Sequence, residues 1–226
     1  MSHFPFTDFG KDLSSFVVGP EGNISCRLPN GNFMIKASGS FMSSLTQETI
    51  VTCDIDGNML PKQQGHAKKH ATAPLTRPSM EVGFHSWLYK NTDCEVIAHT
   101  HPINVMKVLC GGLAEEFAKN RMFPDQVVFN GINYGVVPYA TPGDELVSKM
   151  INSFKSHKTI PKVILLENHG LICCAKDFKE AVTMTEICDK AAEIFLEIQK
   201  YKPSYLSQDD ISKILGHESE AYRKSL

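Results

Sequence analysis

The chain lacks a charge excess of either sign, with 23 Lys and Arg against 25 Asp and Glu in 226 residues. That balance gives no reason to expect nucleic acid or an anionic membrane surface as a partner. No uninterrupted apolar stretch approaches about 20 residues, which excludes a spanning helix. Met1-Ser2-His3-Phe4-Pro5 has no basic start followed by an apolar run, so no signal peptide is read there. The seven cysteines, at 26, 53, 94, 110, 173, 174 and 188, include no Cys-x-x-Cys pair. An odd count without that spacing argues against both a disulfide framework and a cysteine-based zinc site. Cys173 and Cys174 read as neighbours on a strand, one facing each way. Repeats, low-complexity tracts and linkers are also missing. A cytoplasmic protein with one domain over residues 1–226 is expected, long enough to bury its own core.

What is present is histidine in two places. Val96-Ile97-Ala98 leads into His99-Thr100-His101, and Val163-Ile164-Leu165-Leu166 leads into Glu167-Asn168-His169-Gly170. Alternate side chains of a strand share a face, so a His-x-His spacing points both imidazoles the same way. A third imidazole from a neighbouring strand end would complete three nitrogen ligands with a position left open. Structural zinc sites are usually filled by four protein ligands, whereas catalytic ones keep a place for water or substrate. His66 and His70 sit in a polar stretch, Gln63 to Thr76, without apolar strand context, and are read as loop residues.

Around these clusters the chain reads as early hairpins followed by strand–helix alternation. Ile24 to Leu28 and Phe33 to Lys36 are strands joined by a turn at Pro29-Asn30-Gly31-Asn32, because Asn-Gly accepts positive φ at little cost. Ile50 to Asp54 is a further strand, and Asp8 to Phe16 a short amphipathic stretch. Helices are expected from Pro78 to about Asn91, Gly112 to about Asn120, Gly143 to about His157 and Asp177 to about Tyr201, with a last one starting near Ser207. In the longest, Ala181, Met184, Ile187, Ala191 and Ile194 are spaced for one buried face. The expected class is α/β, a mixed sheet covered by helices.

Glu81 lies in the expected first turn of the Pro78 helix. A carboxylate there complements the helix dipole, and beside a metal it can also act as a general base that removes a proton α to a carbonyl. His85, four residues on, is on the same helical face and either orients Glu81 or has a structural role. Gly22-Asn23, Ser38-Gly39 and Ser79 each lie at a strand end or helix start, where backbone N–H groups can bind a phosphate.

Taken in order, Gly22-Asn23-Ile24-Ser25, Ser38-Gly39, Pro78-Ser79-Met80-Glu81, His99-Thr100-His101-Pro102 and Glu167-Asn168-His169-Gly170 resemble the class II aldolase/adducin family. The family includes L-fuculose-phosphate and L-rhamnulose-phosphate aldolases, and the resemblance runs from about residue 10 to residue 200. It implies a three-layer α/β/α domain with a mostly antiparallel central sheet. It implies a zinc ion on His99, His101 and His169, with cobalt, manganese or iron as alternatives, and Glu81 as the catalytic acid/base. Gly22, Asn23, Ser38, Gly39 and Ser79 fall where these aldolases hold the substrate phosphate. Tyr222, with Tyr205 second, matches the tyrosine that family aldolases bring from a mobile C-terminal tail, here about 203–226, to the aldehyde oxygen. Homotetramers with interfacial active sites are implied as well.

The activity implied is cleavage of a ketose 1-phosphate into dihydroxyacetone phosphate and an aldehyde through an enediolate. The same scaffold resembles methylthioribulose-phosphate dehydratases, sugar-acid phosphate decarboxylases and pentulose-phosphate 4-epimerases, the last without a clear match here to its extra aspartate. An adducin-like interaction module is disfavoured by the intact histidines and Glu81. Met80 stands where fuculose-phosphate aldolases carry a second phosphate-contacting serine. Phe123 to Phe129 resembles rhamnulose-phosphate aldolase–dehydrogenase fusions instead, with Asp125 read as a turn residue.

Overall fold

The computed structural model of the chain describes residues 5–61 and 77–217. Seven strands form one sheet in the order β3-β2-β1-β4-β7-β6-β5. They are β1 (Asn23–Arg27), β2 (Phe33–Lys36), β3 (Ile50–Cys53), β4 (Val96–Thr100), β5 (Gly135–Val137), β6 (Val163–Leu166) and β7 (Gly170–Ala175). Every pairing is antiparallel except β5 with β6. The expected hairpin is present: Gly31 adopts φ +83° and Leu28 N–H donates to the Asn32 carbonyl at 2.8 Å.

Side-chain alternation divides the core into two layers. Val96 and Ala98 of β4, with Leu171, Cys173 and Ala175 of β7, face one apolar layer. Ile97, Ile172 and Cys174 face the other, so the paired cysteines do point to opposite sides. The first layer is closed by α1 (Pro5–Leu13), α3 (Ile103–Cys110), α4 (Ala114–Lys119) and α7 (Phe178–Ile198), with α5 (Pro124–Asn130) packed on α7, and the second by α2 (Val82–Asn91) and α6 (Asp144–Phe154). A last helix, α8 (Gln208–Leu215), packs on α5 and begins at Ser207, whose hydroxyl accepts from Asp210 N–H at 3.1 Å. This is the three-layer α/β/α arrangement. Among the described residues no helix is long and apolar enough to cross a membrane.

Three expectations need correction. The helix after Pro78 begins at Val82, because Pro78 pairs with Ala37 and Ser79 N–H donates to the Lys36 carbonyl at 3.2 Å. Glu81 is therefore the N-cap residue, held before the first turn by an extended segment docked on β2. The buried stripe of α7 runs through Ala181, Met184, Cys188, Ala191 and Phe195, which leaves Ile187 and Ile194 half-buried at its edge. Finally, α3 and α5 were not expected as helices. Both are short, and α3 takes its cap from a distance: Asp189 of α7 accepts the Asn104 N–H at 2.9 Å.

Candidate metal centre and its surroundings

The antiparallel register brings separate pieces of chain to one end of the sheet. Asn23 of β1 lies opposite His99 of β4, Thr100 lies opposite Leu171 of β7, and Gly170 closes the β6–β7 turn against Leu166. The ligand atoms of His99, His101 and His169 consequently lie within 4.8 Å of one another. Two glycines permit this approach. A Cβ on Gly170 would lie 2.6 Å from His101 Cδ2 and 2.7 Å from the Thr100 carbonyl, and one on Gly22 would lie 2.5 Å from the His99 carbonyl. Asn168, at φ +54°, turns the chain between them in the left-handed region that non-glycine residues seldom enter.

The tautomers of two rings suit a metal. His99 Nδ1 lies 3.0 Å from the Leu171 carbonyl and must carry the proton, which leaves Nε2 as a lone pair facing the cluster. His101 Nδ1 lies 3.3 Å from Glu21 Oε2, and the same logic frees its Nε2. The two Nε2 atoms are 3.3 Å apart. Lone pairs meeting at that distance repel unless a cation lies between them. Nitrogens bound to one tetrahedral zinc at about 2.0–2.1 Å are about 3.3 Å apart, so the donors present fit such an ion. The partners at Leu171 and Glu21 are of the kind that orient metal-bound imidazoles.

Electrostatics point the same way. Burial pulls His99 down to about 4, against the opposing pull of the Glu81 carboxylate, so the ring is neutral and ligand-competent at neutral pH. Burial lowers His101 as well, with Glu21 acting against it. The edge of Phe84 from α2 packs on the His99 ring at 5.5 Å and fixes its plane. Adding a divalent metal to metal-free protein is expected to raise Tm by about 5–10 °C at a hundredfold excess over Kd. His99→Ala should remove that shift in a thermal melt; an equal shift in the variant would place the metal elsewhere.

Glu81 sits against the imidazoles. Its Oε1 is 3.2 Å from His169 Nε2, and its Oε2 is 3.3 Å from His99 Nε2 and accepts from Asn23 Nδ2 at 2.7 Å. Burial pushes this carboxyl up, while the charge that the His99 and His169 rings carry when protonated, with the Asn23 amide, brings it down to about 2. With the rings neutral, the bond from the Asn23 amide still favours the ionised form. Asn23, expected among the phosphate contacts, is buried with its side chain turned toward Glu81 and His85. His85 reaches Glu81 through Asn23, and burial holds its ring down at about 3.

Ser38, Gly39 and Ser79 gather beside these residues through the Ala37–Pro78 bridge. The Ser38 N–H is taken by the Arg77 carbonyl at 2.9 Å, and Ser79 Oγ accepts from Glu81 N–H at 3.3 Å. Ser38 and Gly39 are exposed. Beneath them is a residue the sequence reading passed over. Lys36 is buried at 2 % exposure, and its Nζ donates to the Pro20 carbonyl at 3.1 Å and the Ser40 carbonyl at 2.6 Å. One ammonium thus ties the Gly22 loop to the Ser38–Gly39 loop, and burial lowers it to about 8 despite the Glu81 carboxylate nearby. Its neighbourhood in sequence, Phe-Met-Ile-Lys ending a strand, gives no sign that the lysine points inward.

Other expected residues fall elsewhere. Tyr205 places its hydroxyl 3.5 Å from Glu116 on α4. Asp125 is in the first turn of α5, a helix that packs on α7 and α8. Tyr222, His66 and His70 lie outside the described residues.

The sequence model of the class II aldolase and adducin N-terminal domain matches residues 12–196. The chain belongs to the class II aldolase/adducin family. It is 26 % identical over 200 residues to a 3-oxo-tetronate 4-phosphate decarboxylase of Haemophilus influenzae, covering 88 % of each chain. It is 27 % identical over 191 residues to an L-fuculose phosphate aldolase of Methanococcus maripaludis, covering 83 % of this chain and 91 % of that one. Among solved structures it resembles YgbL of Klebsiella pneumoniae, with a TM-score of 0.75 at 23 % identity over 93 % of this chain and 95 % of that one. An L-fuculose 1-phosphate aldolase gives a TM-score of 0.74 at 20 % identity over 93 % and 92 % of the two chains. The likeness of fold to these structures extends over nearly the whole chain.

Proposed function

We propose that the chain is a zinc-dependent lyase that breaks a carbon–carbon bond beside the carbonyl of a phosphorylated three-oxo sugar acid, releasing carbon dioxide and dihydroxyacetone phosphate. The observation that carries this reading is Glu81, an ionised carboxylate held by Asn23 against three converging imidazoles. His99, His101 and His169 would hold the metal. Bound there, zinc supplies a Lewis acid for the substrate carbonyl and its neighbouring oxygen, stabilising the charge left when the bond breaks.

Glu81 then needs only to move one proton. As a carboxylate it accepts the proton of the substrate hydroxyl next to the carbonyl. After carbon dioxide departs, it returns that proton to the carbon left behind. The proton consumed overall enters from solvent at product release. Ser38, Gly39 and Ser79, above the Lys36 ammonium, form the place for the phosphate.

Aldol cleavage of a ketose 1-phosphate is the second reading, favoured by the L-fuculose phosphate aldolase relatives. It requires in addition a group for the aldehyde oxygen. Tyr205 turns its hydroxyl toward Glu116 on α4, so that group would come from Tyr222 or from another subunit. Exposed Val18, Phe41 and Met80 on loops beside the site, with exposed Ile103 at the start of α3, fit a homotetramer with interfacial active sites.

The test is to supply metal-loaded protein with 3-oxo-tetronate 4-phosphate and, separately, with fuculose, rhamnulose and ribulose 1-phosphates. Dihydroxyacetone phosphate with one equivalent of carbon dioxide is the expected result from the first. Dihydroxyacetone phosphate with an aldehyde from one of the others moves the assignment to aldolase. No cleavage of any would sink the lyase reading.

A further inference from the structure

The segment that docks on the end of β2 does so through its backbone, and this leaves one charged side chain with no task in the fold. Ala37 bridges Pro78, while the Ser38 N–H donates to the Arg77 carbonyl at 2.9 Å and the Ser79 N–H to the Lys36 carbonyl at 3.2 Å. In an antiparallel ladder such bonds flank the bridging pair, so Ser38 stands opposite Arg77 and Lys36 opposite Ser79. Side chains alternate between faces along each strand. Ala37 belongs to the second apolar layer. Lys36, Ser38, Arg77 and Ser79 therefore share the opposite face, the one given above to the phosphate.

Of the two cations on that face, only one is free to touch a ligand. Lys36 is buried, and its Nζ already donates to the Pro20 and Ser40 carbonyls. Arg77 is exposed, and its guanidinium makes no hydrogen bond or ion pair among the described residues. Beside it the turn is open, with nothing within 4 Å of where a Cβ on Gly39 would stand. The Ser38 and Ser79 hydroxyls and the turn backbone are neutral donors. A phosphomonoester brings a charge of about −1.5 to −2 at neutral pH. A guanidinium presents paired N–H donors that match two oxygens of such a group. We propose that Arg77 is the cation that contacts the substrate phosphate, adding charge recognition to a seat otherwise built from neutral donors. This rests on the reading above that Ser38, Gly39 and Ser79 hold the phosphate.

The test is Arg77→Gln, which removes the charge and keeps the backbone carbonyl that holds Ser38, so Tm should match wild type. Calorimetric titration of inorganic phosphate into the full chain should show affinity about tenfold weaker in the variant, the loss expected of one exposed charge-assisted contact. The difference should persist in the metal-free chain, where phosphate cannot sit on the ion. On whichever phosphorylated substrate the enzyme turns over, KM should rise about tenfold with kcat within about threefold. The increase of KM with added salt should be flatter in the variant than in wild type. Arg77→Lys keeps the charge without the fork and should fall between the two. Equal phosphate affinity in wild type and Arg77→Gln, or a drop in kcat and Tm at unchanged KM, would overturn the proposal. The phosphate titration needs no turnover. Phosphate bound through Arg77 by a chain that cleaves no sugar phosphate sinks the lyase reading alone, and a working lyase whose phosphate affinity ignores Arg77 sinks this proposal alone.

Discussion

Replacing Glu81 by glutamine is expected to lower kcat by about 10²–10⁴-fold while metal content and Tm stay near wild type. The amide has the same shape as the carboxylate, and its oxygen can still accept the 2.7 Å bond from Asn23 Nδ2. Two of the three imidazoles do not depend on Glu81 for their tautomers, because His99 is oriented by the Leu171 carbonyl and His101 by Glu21. What the variant loses is the ability to take a proton and give it back. At about 1.4 kcal/mol per decade, the loss corresponds to about 3–5 kcal/mol of transition-state stabilisation. A steady-state assay beside metal analysis separates the outcomes. Wild-type kcat would remove Glu81 from the chemistry, and loss of metal in step with activity would make it a ligand instead of a proton carrier.

The histidine cluster was legible in sequence because its parts are local. A His-x-His at a strand end needs only the two-residue period of a strand, and Gly170 after His169 marks a close approach. The sheet core was legible for the same reason, through β-branched runs such as Val163–Leu166. What stayed hidden depends on partners far along the chain. Nothing near Ile103 announces a helix, since its N-terminal amides are capped by Asp189, 85 positions away from Asn104. The late start of α2 is likewise set by β2, whose Lys36 carbonyl takes the Ser79 N–H and keeps that segment extended. Asn23 beside Gly22 reads as a turn residue until β1 is paired with β4. The pairing turns its amide inward to Glu81 and His85.

Gly170→Ala should cost the protein its metal as well as stability. Gly170 opens β7 directly across from the end of β4, and a Cβ there would lie 2.6 Å from His101 Cδ2, 2.7 Å from the Thr100 carbonyl and 3.0 Å from His99 Cε1. The Thr100 carbonyl is fixed in the β4 backbone between β1 and β7, so the rings or the strand must give. Overpacking of this kind costs about 1–3 kcal/mol, or about 3–10 °C in Tm for a chain of this size. Moving two of the three imidazoles should weaken metal binding by more than the tenfold to hundredfold that follows loss of an outer partner. Gly39→Ala is the control. Gly39 has φ +76° with nothing within 4 Å of the added carbon, so that variant carries left-handed backbone strain without crowding the histidines. Competition with a chromophoric chelator should therefore show metal affinity collapsing in Gly170→Ala and holding in Gly39→Ala, although both lose stability. Wild-type affinity in Gly170→Ala would mean that the cluster has room for the methyl group, and that the closeness of β7 to β4 does not set the spacing of the ligands.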